Sequence, residues 1–326
     1  MENNSWMSLA LSSLAMIIAE LVYFKVADHF NIIDKPNERS SHVHPIIRGG
    51  GVIFVFGVLL WFFQSGYEWP WFVLAVVIIS VISFFDDITS LHPGFRFLFH
   101  LTSMLLILYQ LWPWSWPLYL LVTAVIVCIG TLNAFNFMDG INGITGVYAL
   151  ITLLTFGYIN KYVVAFTDAS FITWISVAVV IFLFFNFRKV AMCFAGDVGS
   201  VTIALILIFL LLKLIRVTGN FLWPLVFLIY GTDSIITIIY RLRRKENIFK
   251  AHRTHLFQYL SNEMKIPHLW VSIIYGAAQA MINIIVIACL NSSNHLLAVV
   301  VAVLFMIFYF VVRKKVTNKV KAMAQS

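Results

Sequence analysis

Residues 199–215 read GSVTIALILIFLLLKLI, a run of seventeen with a single charge, Lys213. A helix needs about 17–25 mostly apolar residues to cross the hydrocarbon core of a bilayer, so this run is long enough to span. It lacks the period-2 alternation of a barrel strand. In lipid the backbone must satisfy its own hydrogen bonds, which favours a helix. Similar runs recur along the whole chain. Cutting at the polar breaks gives eleven expected helices, at about 6–27, 49–64, 70–85, 95–111, 117–135, 143–160, 170–187, 199–215, 221–240, 269–290 and 295–312.

Composition agrees. Of 326 residues, 61% are hydrophobic and 11% charged, against about 25% charged in a soluble domain. The first run, Trp6 to Ala27, carries Glu20 and Lys25 and no small-residue cleavage site, so it is expected to be a span rather than a removed signal. Cys128, Cys193 and Cys289 have no metal-site spacing and are expected to be free thiols.

The net charge of +8 reads as membrane orientation, not as a nucleic-acid surface. With the N-terminus outside, 19 of the 22 Lys and Arg residues fall on the inner side, and only Lys161, Lys213 and Arg216 fall outside. The outer connections are short and rich in Trp and Pro, as interfacial anchors are. The expected fold is all-α, a polytopic transmembrane helical bundle of about eleven helices with the C-terminus cytoplasmic. It forms one domain, 1–326, whose cytoplasmic loops (about 28–48, 86–94, 133–142, 188–198 and 241–268) make the working face.

Seven of the eight aspartates lie at or near inner helix ends. Carboxylates there are costly unless paired, hydrated or bound to a cation. Asp86 and Asp87 end the third helix, where the macrodipole favours cations, so two acids call for a partner. In the stretch 133–143, Asn133, Asn136 and Asp139 recur at i, i+3 and share one face of a helix end; a capped turn would use the Asp and Gly but not the two extra amides. Asp197 in Gly196-Asp197-Val198-Gly199-Ser200 suits either an N-cap or a carboxylate held close to phosphate or metal. Asp233, deeper in the ninth helix, fits a structural partner or a site residue equally, and isolated Glu20 is assigned no role. If the helices bundle, the acids of these separate ends converge on one cavity.

Two loops add positive charge. Arg39, His42 and Arg48 precede Gly49-Gly50-Gly51, a glycine run whose amides could approach an anion at a helix start. His252, Arg253 and His255 occupy the last inner loop, where an Arg and His pair suits a diphosphate; alternatively, this segment is a basic amphipathic surface helix. Zinc is not expected, because a third ligand at metal spacing is missing.

Together these segments resemble the polyprenyl-phosphate N-acetylhexosamine-1-phosphate transferases. The resemblance covers nearly the whole chain in order: Pro36-Asn37-x-Arg39 to Gly49-Gly50, Asp86-Asp87, Asn133-x-x-Asn136-x-x-Asp139-Gly140, Gly196-Asp197-x-Gly199-Ser200 and Arg253-x-His255. The first and last loops look like the branch that initiates O-antigen and capsule synthesis. Asn142 stands where many members have a second aspartate, and His255-Leu256-Phe257-Gln258 where many have His-x-His-His.

The resemblance implies a Mg²⁺-dependent glycosyl-1-phosphate transferase in a bacterial inner membrane, with Mn²⁺ as the alternative ion and the active site facing the cytoplasm. Its substrates would be a UDP-N-acetylhexosamine and undecaprenyl phosphate, its surroundings membrane lipid, and a homodimer its candidate assembly. Asp197 and Asp87 would hold the metal, with Asp86, Asp87 and Asp139 catalytic. Arg39, His42, Arg48, Gly49, Gly50, Asn133, Asn136, Asn142, Arg253 and His255 would contact substrate. The rival classes are a transporter of anionic or lipid-linked sugars and a structural subunit. A transporter would place its polar cluster near the midplane within a repeat, and no repeat is visible.

Overall fold

The computed structural model describes residues 2–34, 45–89, 91–111, 116–247 and 252–323. Eleven helices of eight or more residues occur among them: α1 (Glu2–His29), α2 (Ile53–Gln64), α3 (Pro70–Ile88), α4 (Pro93–Leu111), α5 (Leu118–Met138), α6 (Ile144–Tyr162), α7 (Ala169–Asn186), α8 (Gly196–Thr218), α9 (Leu228–Arg243), α10 (His268–Asn291) and α11 (His295–Met323). Each expected segment coincides with one of these. Nine helices among the described residues are long and apolar enough to cross a membrane; α6 is outside that set, and α2 is shorter even with the turn that leads into it from Gly50.

The hydrophobic runs look alike in sequence but sit differently. The apolar stretch of α8 is 94% buried inside the protein, that of α11 only 17%. A helix apolar all round is a core helix when protein surrounds it and a lipid-facing one when it does not. Helix α8 is the axis: α3, α5, α6 and α2 pack on it, while α11 leans on α9 and α10. Rings fill the gaps between α2, α3, α7 and α8, with Phe72 stacked on Phe209 at 4.0 Å and Trp61 edge-on to Phe171 at 4.8 Å. Lys213, the one charge of the opening run, sits 3.6 Å over the Trp69 ring. Further in, Gln279 of α10 accepts from Tyr148 (2.6 Å) and from the Ile229 amide (2.9 Å) and donates to Asn283, tying α6, α9 and α10 by polar contacts where no water competes.

Three features depart from expectation. The all-α reading missed a small ribbon, β1 (Ile33–Asp34) antiparallel to β2 (Ile46–Ile47), with Ile47 also bridged to Cys193. Strands of two residues leave no periodic signal. Helix α11 runs on to Met323 instead of ending near 312, because its last turns are Lys-rich but helix-competent. The described part of the loop after α9 forms no continuous surface helix. It has one α-turn, Leu256–Gln258, continued by a π-helical stretch, Tyr259–Glu263. The three cysteines are free and buried.

Candidate active site

Helix α8 begins at Gly196, three residues earlier than the apolar pattern predicts, and its first turn makes the site. The orphan amides of a helix start need acceptors, and the dipole there favours an anion. Asp87, from the end of α3, supplies both. It accepts from the amides of Asp197 (2.9 Å) and Val198 (3.0 Å). Its side chain is fully buried, and Arg48 Nε closes on it at 2.7 Å. Gly196 has φ +71°, and a Cβ there would lie 2.6 Å from the Asp87 carboxylate, so only glycine allows this approach.

Asp86 turns the other way. It accepts from the Leu91 amide at 2.6 Å and from Arg96 Nη1 at 2.7 Å, which fixes the connection into α4. Asp197 lies between the two arginines, 3.5 Å from Arg48 and 3.6 Å from Arg96. Its carboxylate is the most accessible of the three, at 20%, and comes within hydrogen-bonding reach of Asp86. Three carboxylates and two guanidiniums, from α3, α4, α8 and the loop before α2, thus form one cluster. Burial alone would lower the Arg48 guanidinium, but Asp87 and then Asp197 outweigh it and hold it above its ordinary value.

Asp139 caps α5 at the same end of the bundle. It is half-buried, and burial pushes its carboxyl up to about 7, with the Asp87 charge adding and Arg48 opposing. Asn136 stands one turn before it, half-buried, while Asn133 turns its amide back to the Ile129 carbonyl at 2.8 Å.

A second cluster adjoins this end. The His252 and His255 rings lie 6.0 and 6.4 Å from the Phe137 ring of α5. Its members join in a chain: Arg241 Nη1 to His252 Nδ1 at 2.7 Å, His252 Nε2 to His255 Nε2 at 3.2 Å, and His255 Nδ1 to Asp233 Oδ1 at 3.0 Å. A guanidinium only donates. His252 Nδ1 therefore accepts, the neutral ring carries its proton on Nε2 and donates to His255, and His255 donates from Nδ1 to Asp233; every proton in the chain is assigned by this logic. Asp233 is fully buried and also takes the Tyr275 hydroxyl at 2.8 Å, with Arg313 at 3.5 Å.

Several expectations are corrected. Gly50 and Gly51 do not offer their amides to an anion. The amides bond the Phe194 and Ala195 carbonyls at 2.8 and 3.1 Å. The glycine run instead lets two backbones touch, since a Cβ on Gly51 would overlap the Gly199 Cα. Gly49, at φ +84°, opens that turn. Asn142 is buried at 3% and donates to the Arg188 and Lys189 carbonyls, pinning that loop. His255 is 2% exposed and His252 half-buried, and both ring nitrogens of each are engaged within the chain. Asp87 is closed in by two amides and Arg48. Arg253 is half-buried in the same loop as His252. Arg39 and His42 lie outside the described residues.

Sequence alone does not single out Arg96, Arg241, Tyr275 or Arg313, and it leaves Asp233 between two roles. For Asp233, the signal was a charge inside an otherwise apolar helix. Arg96 looked like any inner-side cation.

Among the described residues no three His, Cys, Asp or Glu side chains form a ready metal cage. Mg²⁺ does not require one, because it binds through one or two carboxylates together with substrate phosphates and water. The adjacent carboxylates of Asp86 and Asp197 are a donor set of that kind.

Comparison with known proteins adds two findings. The profile of Glycosyl transferase family 4 matches residues 69–215, which include Asp86, Asp87, Arg96, Asp139 and Asp197 but not the imidazole cluster. A Bacillus subtilis (strain 168) protein described as a probable undecaprenyl-phosphate N-acetylglucosaminyl 1-phosphate transferase is 26% identical over 273 residues, covering 76% of this chain and 74% of the relative.

Proposed function

We propose that this chain is a multi-pass membrane transferase that moves an N-acetylhexosamine 1-phosphate from a UDP-sugar to undecaprenyl phosphate. UMP is released, and the polyprenyl-diphosphate-sugar starts a surface glycan. The donor would be a UDP-GlcNAc, UDP-FucNAc or UDP-QuiNAc type sugar. The active site would face the cytoplasm of a bacterial inner membrane, the side that carries most of the Lys and Arg. The observation that carries the reading is the convergence of Asp86, Asp87 and Asp197 with Arg48 and Arg96 at one end of the bundle. The family match and the relative's name support the same reading.

In this reaction an oxygen of the lipid phosphate attacks the β-phosphorus of the UDP-sugar, and the bond to the bridging oxygen breaks to release UMP. Both reactants are anionic, so the protein must position them and offset charge rather than supply a nucleophile. Arg48 and Arg96 are fixed cations whose forked donors suit phosphate oxygens. Asp87 holds the first turn of α8, which keeps Asp197 between Arg48 and Arg96. Asn136 and Asp139 would meet the nucleotide from α5. Arg253 would meet the diphosphate, with His255 and Asp233 holding the His252 ring beside it. Asp86 and Asp197 are the side chains that would hold Mg²⁺, which when bound would neutralise diphosphate charge.

The test is incorporation of radiolabelled sugar phosphate into a lipid fraction, with UMP as the co-product, across a panel of UDP-sugars. Asp197→Ala and chelator are each expected to abolish transfer, with Mg²⁺ restoring the chelated enzyme. Lipid labelling without UMP release would remove the transferase reading, and full activity in chelator would remove the metal.

A further inference from the structure

On the seam between α9 and α11 lies a cavity of about 180 Å³ lined by charge. Its back wall is built from Arg241 and Arg313, both already engaged: Arg241 with Glu246 at 3.1 Å, Arg313 with Asp233 at 3.5 Å. Its mouth is different. Arg244, just past the end of α9, faces Lys314, Asn318 and Lys321 of α11 across the opening, with Tyr259 and Thr254 closing the side. Lys314, Asn318 and Lys321 recur at i, i+4 and i+7, so they share one face of the helix over about 10 Å.

These mouth cations are short of counter-charge among the described residues. Arg244 has a distant oxygen of Glu246, at 3.8 Å, while the other oxygen of that carboxylate is held by Arg241. Neither Lys314 nor Lys321 has an acidic partner among the described residues. The Thr254 hydroxyl, buried and lining the same cavity, has no hydrogen-bond partner. Cations converging with an unanswered donor in a concave space make a site for an anion with several acceptor oxygens. The volume admits a phosphate and a few waters, each water taking about 30 Å³.

Position identifies the carrier of that phosphate. Above the cavity both helices show apolar side chains outward: Ile235, Ile239 and Leu242 on α9, and Phe308, Phe310 and Val311 on α11. The cations begin where this apolar surface stops, at the level of headgroups if the bundle spans a bilayer. Positive-inside bias accounts for Lys and Arg at this depth, but it scatters them over all faces, as with Lys315 and Lys319, and builds no pocket. We infer that this seam is a binding site for a lipid-borne phosphate, that of an anionic glycerophospholipid whose acyl chains lie along the exposed faces of α9 and α11. Basic pockets between membrane helices on the inner side recognise headgroups in this way. The site shares no residue with the acid and arginine cluster and does not depend on the transferase reading. It does share Arg241 and Arg313 with the imidazole chain, so an occupant would brace the arginines that orient His252 and Asp233.

The experiment uses the full chain purified in mild detergent, with native mass spectrometry to count bound lipid. Phosphatidylglycerol is titrated against phosphatidylcholine. The wild type should retain one phosphatidylglycerol in preference to phosphatidylcholine. The triple variant Arg244→Ala/Lys314→Ala/Lys321→Ala should bind it about tenfold more weakly. Lys315→Ala/Lys319→Ala, on other faces of the same helix, should stay within about twofold. Equal weakening in both variants, or none in the triple, overturns the site. The altered residues are exposed, and the single Lys321→Glu near the helix end gives the same reading if the triple variant does not fold. Undecaprenyl phosphate is the second arm. If it displaces phosphatidylglycerol while phosphatidylcholine does not, the phosphate belongs to the lipid carrier instead. If inorganic phosphate competes as well as either lipid, the site does not recognise a lipid.

Discussion

Asp87→Asn tests how far the site depends on one buried carboxylate. The substitution keeps shape and removes charge. Asp87 receives three donors: the Asp197 amide and Arg48 Nε at one oxygen, and the Val198 amide at the other. An asparagine has one acceptor oxygen, and its NH₂ must face a donor in either orientation. The better orientation keeps the oxygen toward Asp197 and Arg48 and sets NH₂ against the Val198 amide. One charge-assisted bond is lost, about 1.5–3 kcal/mol. Arg48 and the α8 terminus lose their counter-charge, and breaking a buried pair costs about 3–5 kcal/mol. The two figures overlap because they describe the same contacts. Arg48 is 36% exposed, so water will replace part of the loss. A net of about 3 kcal/mol is the working value, or roughly a hundredfold in rate if it is felt in the transition state. The assay is labelled transfer with UMP release, alongside hydrogen exchange at residues 197 and 198. Activity within about threefold of wild type, with unchanged protection of those amides, would refute the capping role.

Other outcomes follow from the same geometry. Gly51→Ala should sharply lower Tm, since its Cβ would meet the Gly199 backbone, which cannot step aside, whereas Gly130→Ala, with open space around it, should leave Tm unchanged or raised. Asp139, raised from 3.8 to about 7, keeps its proton in the fold after the unfolded chain has lost it; stability should therefore fall as pH climbs between about 4 and 7 and level off above, and Asp139→Asn should flatten that slope in a Tm against pH series. Asp233→Asn removes the charge and leaves one acceptor oxygen for both His255 and Tyr275, so kcat should fall by about tenfold or more with KM for the UDP-sugar little changed; a variant with an unaltered pH profile and kcat would show that the chain from Arg241 does not orient His252.

The span pattern was legible because burying apolar residues in lipid and in protein both demand long uncharged runs. That same fact hid the packing. Nothing in the composition of α8 and α11 separates an axial helix from a peripheral one. The site was legible to the extent that carboxylates near membrane boundaries are scarce, so Asp86, Asp87, Asp139 and Asp197 stood out. Their partners were not legible. Asp87 and Val198 are 111 positions apart, and only the adjacency of α3 and α8 joins them. Asn142 and His255 show why: a polar side chain near a site can hold up a loop or another side chain just as well as face a ligand, and residue type does not distinguish the two.

Helix α8 carries a consequence for biogenesis. Its hydropathy lets it leave an insertion channel as a free span, yet the finished molecule gives it almost no lipid to touch. Its partners α2, α3, α5 and α6 are all made before it, so the earlier spans must stand as an open ring until α8 is drawn into the middle. The hold of Asp87 on its first turn then serves as a latch on assembly, and a nascent chain stalled before residue 196 would present that ring unfilled.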